Sequence, residues 1–431
     1  MAIRILSTQE KSFTRRFAAI RERGAQTSAA VDDGARAIVA DVRRRGDAAL
    51  VELTHKYDGV ALAAPALRVA AADIDAAAAA LDAADRAALQ LAADRVAAFH
   101  RHQVETSWNF RDELGFTLGQ QITPLRRVAV YVPGGHASYP SSVLMTAIPA
   151  RVAGVDEVIM LSPAGRDGYN PAVLAAAKIA GVDAVYRIGG AQAVAAAAYG
   201  TRTVPKVDKI VGPGNAWVQA AKKLVYGDVD IDGMAGPSEV LVIADDSVDP
   251  AYAAADLLAQ AEHGSGDESA VLLTTSAAVA RAVAERIEAQ LRELPRRAAV
   301  AAVLKRRGAL VVVRDLDEAV EIAEQVAPEH LELLVRRPQA LAKRLRNAGA
   351  IFLGPFAPAA LGDYLAGPNH VLPTGGTARF FSPLGVYDFV KRTSVVTATR
   401  AGLRAVAPAI AALATLEGCD AHAAAVRRRF R

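Results

Sequence analysis

VAVYVPGGH, residues 128–136, runs from an apolar strand into a Pro-Gly-Gly turn. RIGGAQA (187–193) and IVGPGNAW (210–217) repeat the pattern. Each turn leads into a helical stretch, so the spacing predicts a βαβ series and a parallel sheet covered by helices. The expected strands are 128–132, 157–161, 184–188, 209–211 and 240–244. A second series follows, with strands expected at 270–274, 309–313, 331–335 and 350–353. Two α/β sheets in tandem are the simplest architecture. Residues 28–107 read as helical, with one helix over 31–45 and a long one over 74–99, and a last strand is expected at 394–397. A long Gly/Pro-rich loop runs from Gly354 to about Pro383, of a length that in a compact domain marks a functional or a disordered segment.

The whole chain agrees with this. Its 431 residues exceed one ordinary domain. Hydrophobic residues make up 52% and charged residues 22%, which excludes global disorder. Only 5% are aromatic, so the core must be built from Ala, Val, Leu and Ile. The net charge of +4 comes from scattered basic residues. The one cluster, Arg427–Arg429 with Arg431, reads as a solvated tail, so no nucleic-acid partner is expected. A single cysteine, Cys419, excludes an internal disulfide framework and fits a reducing compartment. The first twenty residues lack a signal-like apolar core, and no run of 18 apolar residues exists. The sequence reads as soluble and cytoplasmic, with no membrane partner.

In open α/β sheets, ligands bind beyond the carboxyl ends of the strands, where bare backbone and helix N-termini accept anionic groups. Three glycine turns in one sheet therefore point to a phosphate-bearing ligand. Both G-x-G-x-x-G and the Walker pattern are absent, so a dinucleotide would bind in a non-standard way.

Chemistry-bearing side chains concentrate elsewhere. DPAYAAADLLAQAEHG (249–264) has an N-cap in Asp249, Pro250 at the first helical position and Gly264 past the end, which predicts a helix over 250–263. Gln260 and His263 then share a face at its end, as a packing feature or a two-ligand arm for a divalent metal. APEHLEL (327–333) places Glu329 and His330 between a helix and a strand, an acid–imidazole couple or a surface turn. LGDYLAGPNHVLPTGG (361–376) holds Asp363 and His370 on a stiff loop, and LEGCDAH (416–422) adds Glu417 and His422. Gln260, His263, Asp363 and His422 would make a mixed N/O metal site suited to Zn²⁺ or Mn²⁺ if those segments meet.

Together the motifs YVPGG, GGAQA, VGPGN, AGPSE, LLAQAEHG, APEHLEL, GDYLAGPNHVLPTGGTAR, GVYDFVKRTSV and LEGCDAH give the chain a close resemblance to the histidinol dehydrogenase family over nearly its full length. The resemblance implies an α/β fold of two incomplete Rossmann-like, aldehyde-dehydrogenase-like domains with parallel sheets and small N- and C-terminal pieces. It implies a helical extension over 1–27, a metal-bearing and catalytic domain from 28–125 and 240–383, an NAD-binding domain from 126–239, and a dimerisation piece from 384–431. The implied activity is oxidation of L-histidinol through L-histidinaldehyde to L-histidine with two NAD and a bound Zn²⁺, in the last step of histidine biosynthesis. Its implied ligands for Zn²⁺ are Gln260, His263, Asp363 and His422, and its acid/base pair is Glu329 and His330. Substrate contacts would also include Ser238, His370 and Glu417. NAD would meet Tyr131, Gln192 and Asn215. The implied assembly is a homodimer with shared active sites. The nearest rival is a paralogous zinc- and NAD-dependent dehydrogenase of another small primary alcohol.

Overall fold

The computed structural model describes residues 3–21, 28–134, 139–165, 168–263 and 266–430. The expected turn residue His136 and the expected helix stop Gly264 lie outside them.

Two parallel sheets organise the chain, as the alternating pattern predicts. A five-stranded sheet has the order Ala184–Arg187, Glu157–Ser162, Arg127–Tyr131, Lys209–Val211, Asp230–Ile231. Its strands are apolar on both faces because both are covered. Ala129, Tyr131, Ile159 and Leu161 face one core, and Val128, Val130, Val158 and Met160 the other. The low aromatic content is met by close approach of small side chains: Ala195–Ala198 are wholly buried in the helix Gly190–Tyr199. Gly34 of the helix Ala29–Arg45 lies so close to the Trp217 ring that a Cβ would come within 2.6 Å.

A six-stranded sheet has the order Arg4–Ser7, Gly308–Val312, Ser269–Thr274, Glu239–Ala244, His330–Leu334, Ala350–Leu353. Glu239–Ala244, last of the first series in sequence, sits inside this second sheet. Val240 and Val242 pack under Pro250–Ala261 and Ala277–Leu291, while Leu241 and Ile243 pack under Leu316–Val326.

Several expectations are corrected. Residues 1–27 are not simply a helical extension. Arg4–Ser7 is an edge strand parallel to Gly308–Val312, and the Arg4 guanidinium donates to the Lys305 carbonyl at 3.1 Å. Among the described residues there, only Phe13–Arg21 is helical. The helices of 29–101 pack mainly on the five-stranded sheet, and the last of them also meets the segment around 365–371, where Asn369 Nδ2 lies 3.5 Å from His100 Nε2. They cover the five-stranded sheet: Ala29–Arg45 lies on Gly190–Tyr199 and Ala216–Val225, and Ala83–Arg101 on Pro140–Ala153. Their apolar stripes hold the side chains that complete that sheet's two cores. The long helix expected over 74–99 is broken into Ala71–Ala80 and Ala83–Arg101, because Asp82 caps the second by accepting Asp85 N–H at 2.8 Å.

A third, antiparallel sheet of Val390–Thr397, Thr117–Pro124 and Trp108–Arg111 joins the C-terminal piece to the middle of the chain. It is followed by the helices Arg400–Leu416 and Asp420–Arg427. Among the described residues no helix is long and apolar enough to cross a membrane.

Candidate active site

Tyr131, Gln192 and Asn215 lie at the carboxyl edge of the five-stranded sheet, as expected of open α/β sheets. The Tyr131 hydroxyl accepts Gly190 N–H at 3.0 Å, tying two of the three turns together. Gln192 is buried, and its amide nitrogen has no partner. Asn215 caps the helix Ala216–Val225, its Oδ1 accepting Trp217 N–H at 3.1 Å and Val218 N–H at 3.2 Å. Gly212 requires its glycine: φ is +113°, and a Cβ would come within 2.2 Å of the Tyr131 carbonyl. Its N–H goes to Asp232 Oδ2 at 2.6 Å and its carbonyl to Lys222 Nζ at 3.1 Å, and Lys222 and Asp232 form a buried ion pair. An unpartnered buried amide beside bare, rigidly held turns fits a polar, phosphate-bearing ligand such as NAD.

Ionisable groups gather at the six-stranded sheet. The helix Leu316–Val326 ends at Ala327, whose φ of +48° makes it the one non-glycine with positive φ among the described residues. That turn feeds Pro328, Glu329 and His330 into the mouth of the strand His330–Leu334. Gly349, whose Cβ would come within 2.6 Å of the Glu329 carbonyl, lets the neighbouring strand approach. Both Glu329 and His330 are buried, which removes the surface-turn reading.

Glu239, which the motif AGPSE contains but sequence reasoning gave no role, holds the pair with its backbone. Its N–H donates to Glu329 Oε2 at 2.9 Å, and its carbonyl accepts His330 Nδ1–H at 3.1 Å. Glu329 Oε2 is 3.6 Å from His330 Nδ1, and Asp363 Oδ1 is 3.8 Å from His330 Nε2. Burial pushes the Glu329 carboxyl up to about 7, against the pull of the His330 charge. Burial works to lower His330, but the Glu329 and Asp363 carboxylates outweigh it and bring the imidazole to about 9.

Asp363 is carried by a short helix, Ala359–Tyr364, inside the segment read as loop. Burial works to raise its carboxyl, but His330 beside it, with His370 and His263, holds it below its ordinary value. The Asp363 backbone carbonyl accepts His370 Nδ1–H at 2.9 Å, which leaves His370 Nε2 to accept from Ser142 Oγ at 3.3 Å. Ser142 was not anticipated either. Ser238, half-buried, immediately precedes the strand Glu239–Ala244.

Gln260 and His263 lie where the sequence puts them. Asp249 caps the helix Pro250–Ala261, accepting Ala251 N–H at 2.9 Å, and His263 follows its last turn. Burial lowers the His263 imidazole, within reach of Asp363 and His330. The Gln260 amide is buried with its nitrogen unpartnered. A neutral imidazole, an ionised carboxylate and an unsatisfied amide, whose oxygen and nitrogen can exchange by rotation, match the donor set of a divalent metal.

Glu417 and His422 are not brought to this cluster within the protomer. Both are exposed, on a C-terminal arm whose helices Arg400–Leu416 and Asp420–Arg427 pack on each other. Accordingly, no three His, Cys, Asp or Glu side chains among the described residues converge tightly enough to hold a metal by themselves.

A model of the histidinol dehydrogenase family matches residues 21–430. The chain is 53% identical to a histidinol dehydrogenase of Syntrophotalea carbinolica, covering 100% of this chain and 99% of that one. It is 51% identical to one of Geobacter sulfurreducens, covering both chains completely. A crystal structure of histidinol dehydrogenase from Elizabethkingia anophelis superposes with a TM-score of 0.93 at 34% identity, covering 100% of this chain and 98% of the other. The chain belongs to the histidinol dehydrogenase family.

Proposed function

We propose that this chain oxidises L-histidinol through L-histidinaldehyde to L-histidine in the cytoplasm, with NAD as hydride acceptor in both halves. This is the final step of histidine biosynthesis. The observation that carries the reading is the buried Glu329–His330 couple, held by the Glu239 backbone and facing Asp363, in a chain of this family.

Gln260, His263 and Asp363 of one protomer, with His422 of the partner subunit, would hold Zn²⁺. Bound there, the redox-inert metal would orient the imidazole and amine of the substrate and add positive charge that draws the His330 pKa toward neutrality. His330 is the proton carrier. Its Nδ1–H is committed to the Glu239 carbonyl, so Nε2 is the position that takes a proton from the alcohol. Each oxidation releases one proton with each hydride, so His330 serves both. Glu329, titrating near 7, is basic enough to take a proton from the water that adds to the aldehyde. Only the second half consumes water. His370, oriented by the Asp363 carbonyl, and Ser238 would contact the substrate from the same protomer.

The assembly we infer is a homodimer. Val390–Thr397 is exposed along nearly its whole length, and Leu413 and Leu416 of the C-terminal arm are 61% and 84% exposed. Exposed Val395, Val396, Leu413 and Leu416 on a short terminal piece suit burial against a second copy, and the arm would carry Glu417 and His422 into the other protomer's site. The reaction itself is tested by counting NADH per histidinol consumed. Two NADH, with no accumulated aldehyde, support the reading. One NADH with aldehyde as product refutes it.

A further inference from the structure

The helix that carries Gln260 also carries a carboxyl group that the reaction described above does not use. Asp256 lies one turn before Gln260 on the same helix face. It meets Glu332, two residues beyond His330 and on the same side of that strand. Glu332 is buried, and its Oε1 accepts Ala359 N–H at 2.8 Å. Ala359 is the first residue of the helix Ala359–Tyr364, and the preceding Pro358 offers no side-chain cap. Glu332 therefore does from across the fold what a capping residue does locally.

The other oxygen, Glu332 Oε2, has no N–H or O–H donor. The side chain in hydrogen-bonding range of the Glu332 carboxyl is that of Asp256. Two carboxylates have no hydrogen to share, so the contact closes only when one of them holds a proton. Burial raises both groups, which favours that state. A single chain of contacts thus runs from the helix of Gln260, through the strand of His330, to the helix of Asp363. The last helix has one further anchor. Gly362 lies on the Phe352 ring, where a Cβ would come within 2.7 Å, and Phe352 is the register partner of Glu332.

We propose that Asp256 and Glu332 are positioning residues for the metal site, a proton-sharing carboxyl pair that fixes the helix of Asp363 relative to the helix of Gln260. The proposal rests on the reading that Gln260 and Asp363 hold zinc.

The test measures zinc affinity of the purified enzyme by competition with a chromophoric chelator, alongside the Tm of the zinc-free protein. Glu332→Leu removes the joint and should weaken zinc binding about 10–100-fold, the scale of lost support around metal ligands, beyond the lower zinc-free Tm expected when the Ala359 N–H loses its cap. Glu332→Gln can still accept from Ala359 and can donate to Asp256, so it should keep wild-type affinity. Should Glu332→Leu not fold, Asp256→Leu carries the same expectation for zinc. Wild-type zinc affinity in the folded leucine variant, alongside lost zinc in Asp363→Ala, overturns the positioning role and leaves the ligand reading intact. Retained zinc in Asp363→Ala overturns the ligand reading itself.

Discussion

The segments that supply the first three expected metal ligands and the segment that supplies the fourth are opposite in kind. Gln260 and Asp363 belong to helices locked onto a parallel sheet, and His263 directly follows the first of them, beside a buried acid–imidazole couple whose hydrogen bonds are closed by backbone atoms. His422 stands exposed on an arm attached through an edge strand and two helices that leave leucines in solvent. The first region is finished as far as one chain can finish it. The second carries exposed leucines beside Glu417 and His422, which the proposed reading assigns to a partner's site. On the proposed reading, one protomer folds the whole acid–imidazole couple but supplies only three of the four metal ligands, which would make the oligomer part of the chemistry.

The largest expected effects fall on the finished region. His330→Ala should slow both oxidations by roughly 10²–10⁴-fold. Glu329→Gln should impose a loss of that order on histidinaldehyde oxidation and a much smaller one on alcohol oxidation. Supplying the aldehyde directly separates the halves, and equal losses in both would break the division of roles.

Zinc content compares the two regions next. His263→Ala and His422→Ala should both weaken zinc about 10-fold or more, taking the weaker losses around metal ligands as a floor. Sedimentation or light scattering should show that neither variant changes the oligomeric state. Full zinc in His422→Ala would confine the site to the buried region.

The smallest effect concerns the helices covering the five-stranded sheet. Burial raises the Asp58 carboxyl from 3.8 to about 6, and its Oδ2 has no partner. The folded state therefore holds this proton more tightly than the unfolded chain. That stabilisation is complete below pH 3.8 and is lost as pH rises through about 6. Asp58→Asn should raise Tm at pH 7.5, with the gain shrinking toward pH 4.5. A gain equal at both values would assign it to packing.

How far the sequence discloses this molecule varies by region. Strands such as Arg127–Tyr131 and Glu239–Ala244 are legible because a strand buried on both faces is a continuous apolar run closed by a turn. Arg4–Ser7 is not, since four residues carry no period and its partner lies some 300 positions away. The strand Thr117–Pro124 is rich in Thr and Gln and half-buried, so it lacks the apolar signal as well. At the site, the ligand types and their segments are readable from spacing, but their convergence is not. Glu239 escapes notice because it acts through its backbone N–H and carbonyl, which every residue has. Asp363 itself is visible, but the helix that carries it goes unread in a Gly/Pro-rich segment because it is only six residues long.

Subunit mixing tests most directly whether the exposed arm completes the buried site of its neighbour. His330→Ala and His422→Ala are each inactive as pure dimers in this account. After subunit exchange, one site of a mixed dimer collects both substitutions and the other collects neither. Recovered activity, approaching half a wild-type site complement per mixed dimer, is the expected outcome. No recovery, with exchange demonstrated by mass spectrometry of the mixed dimer, would show that each site lies within one chain.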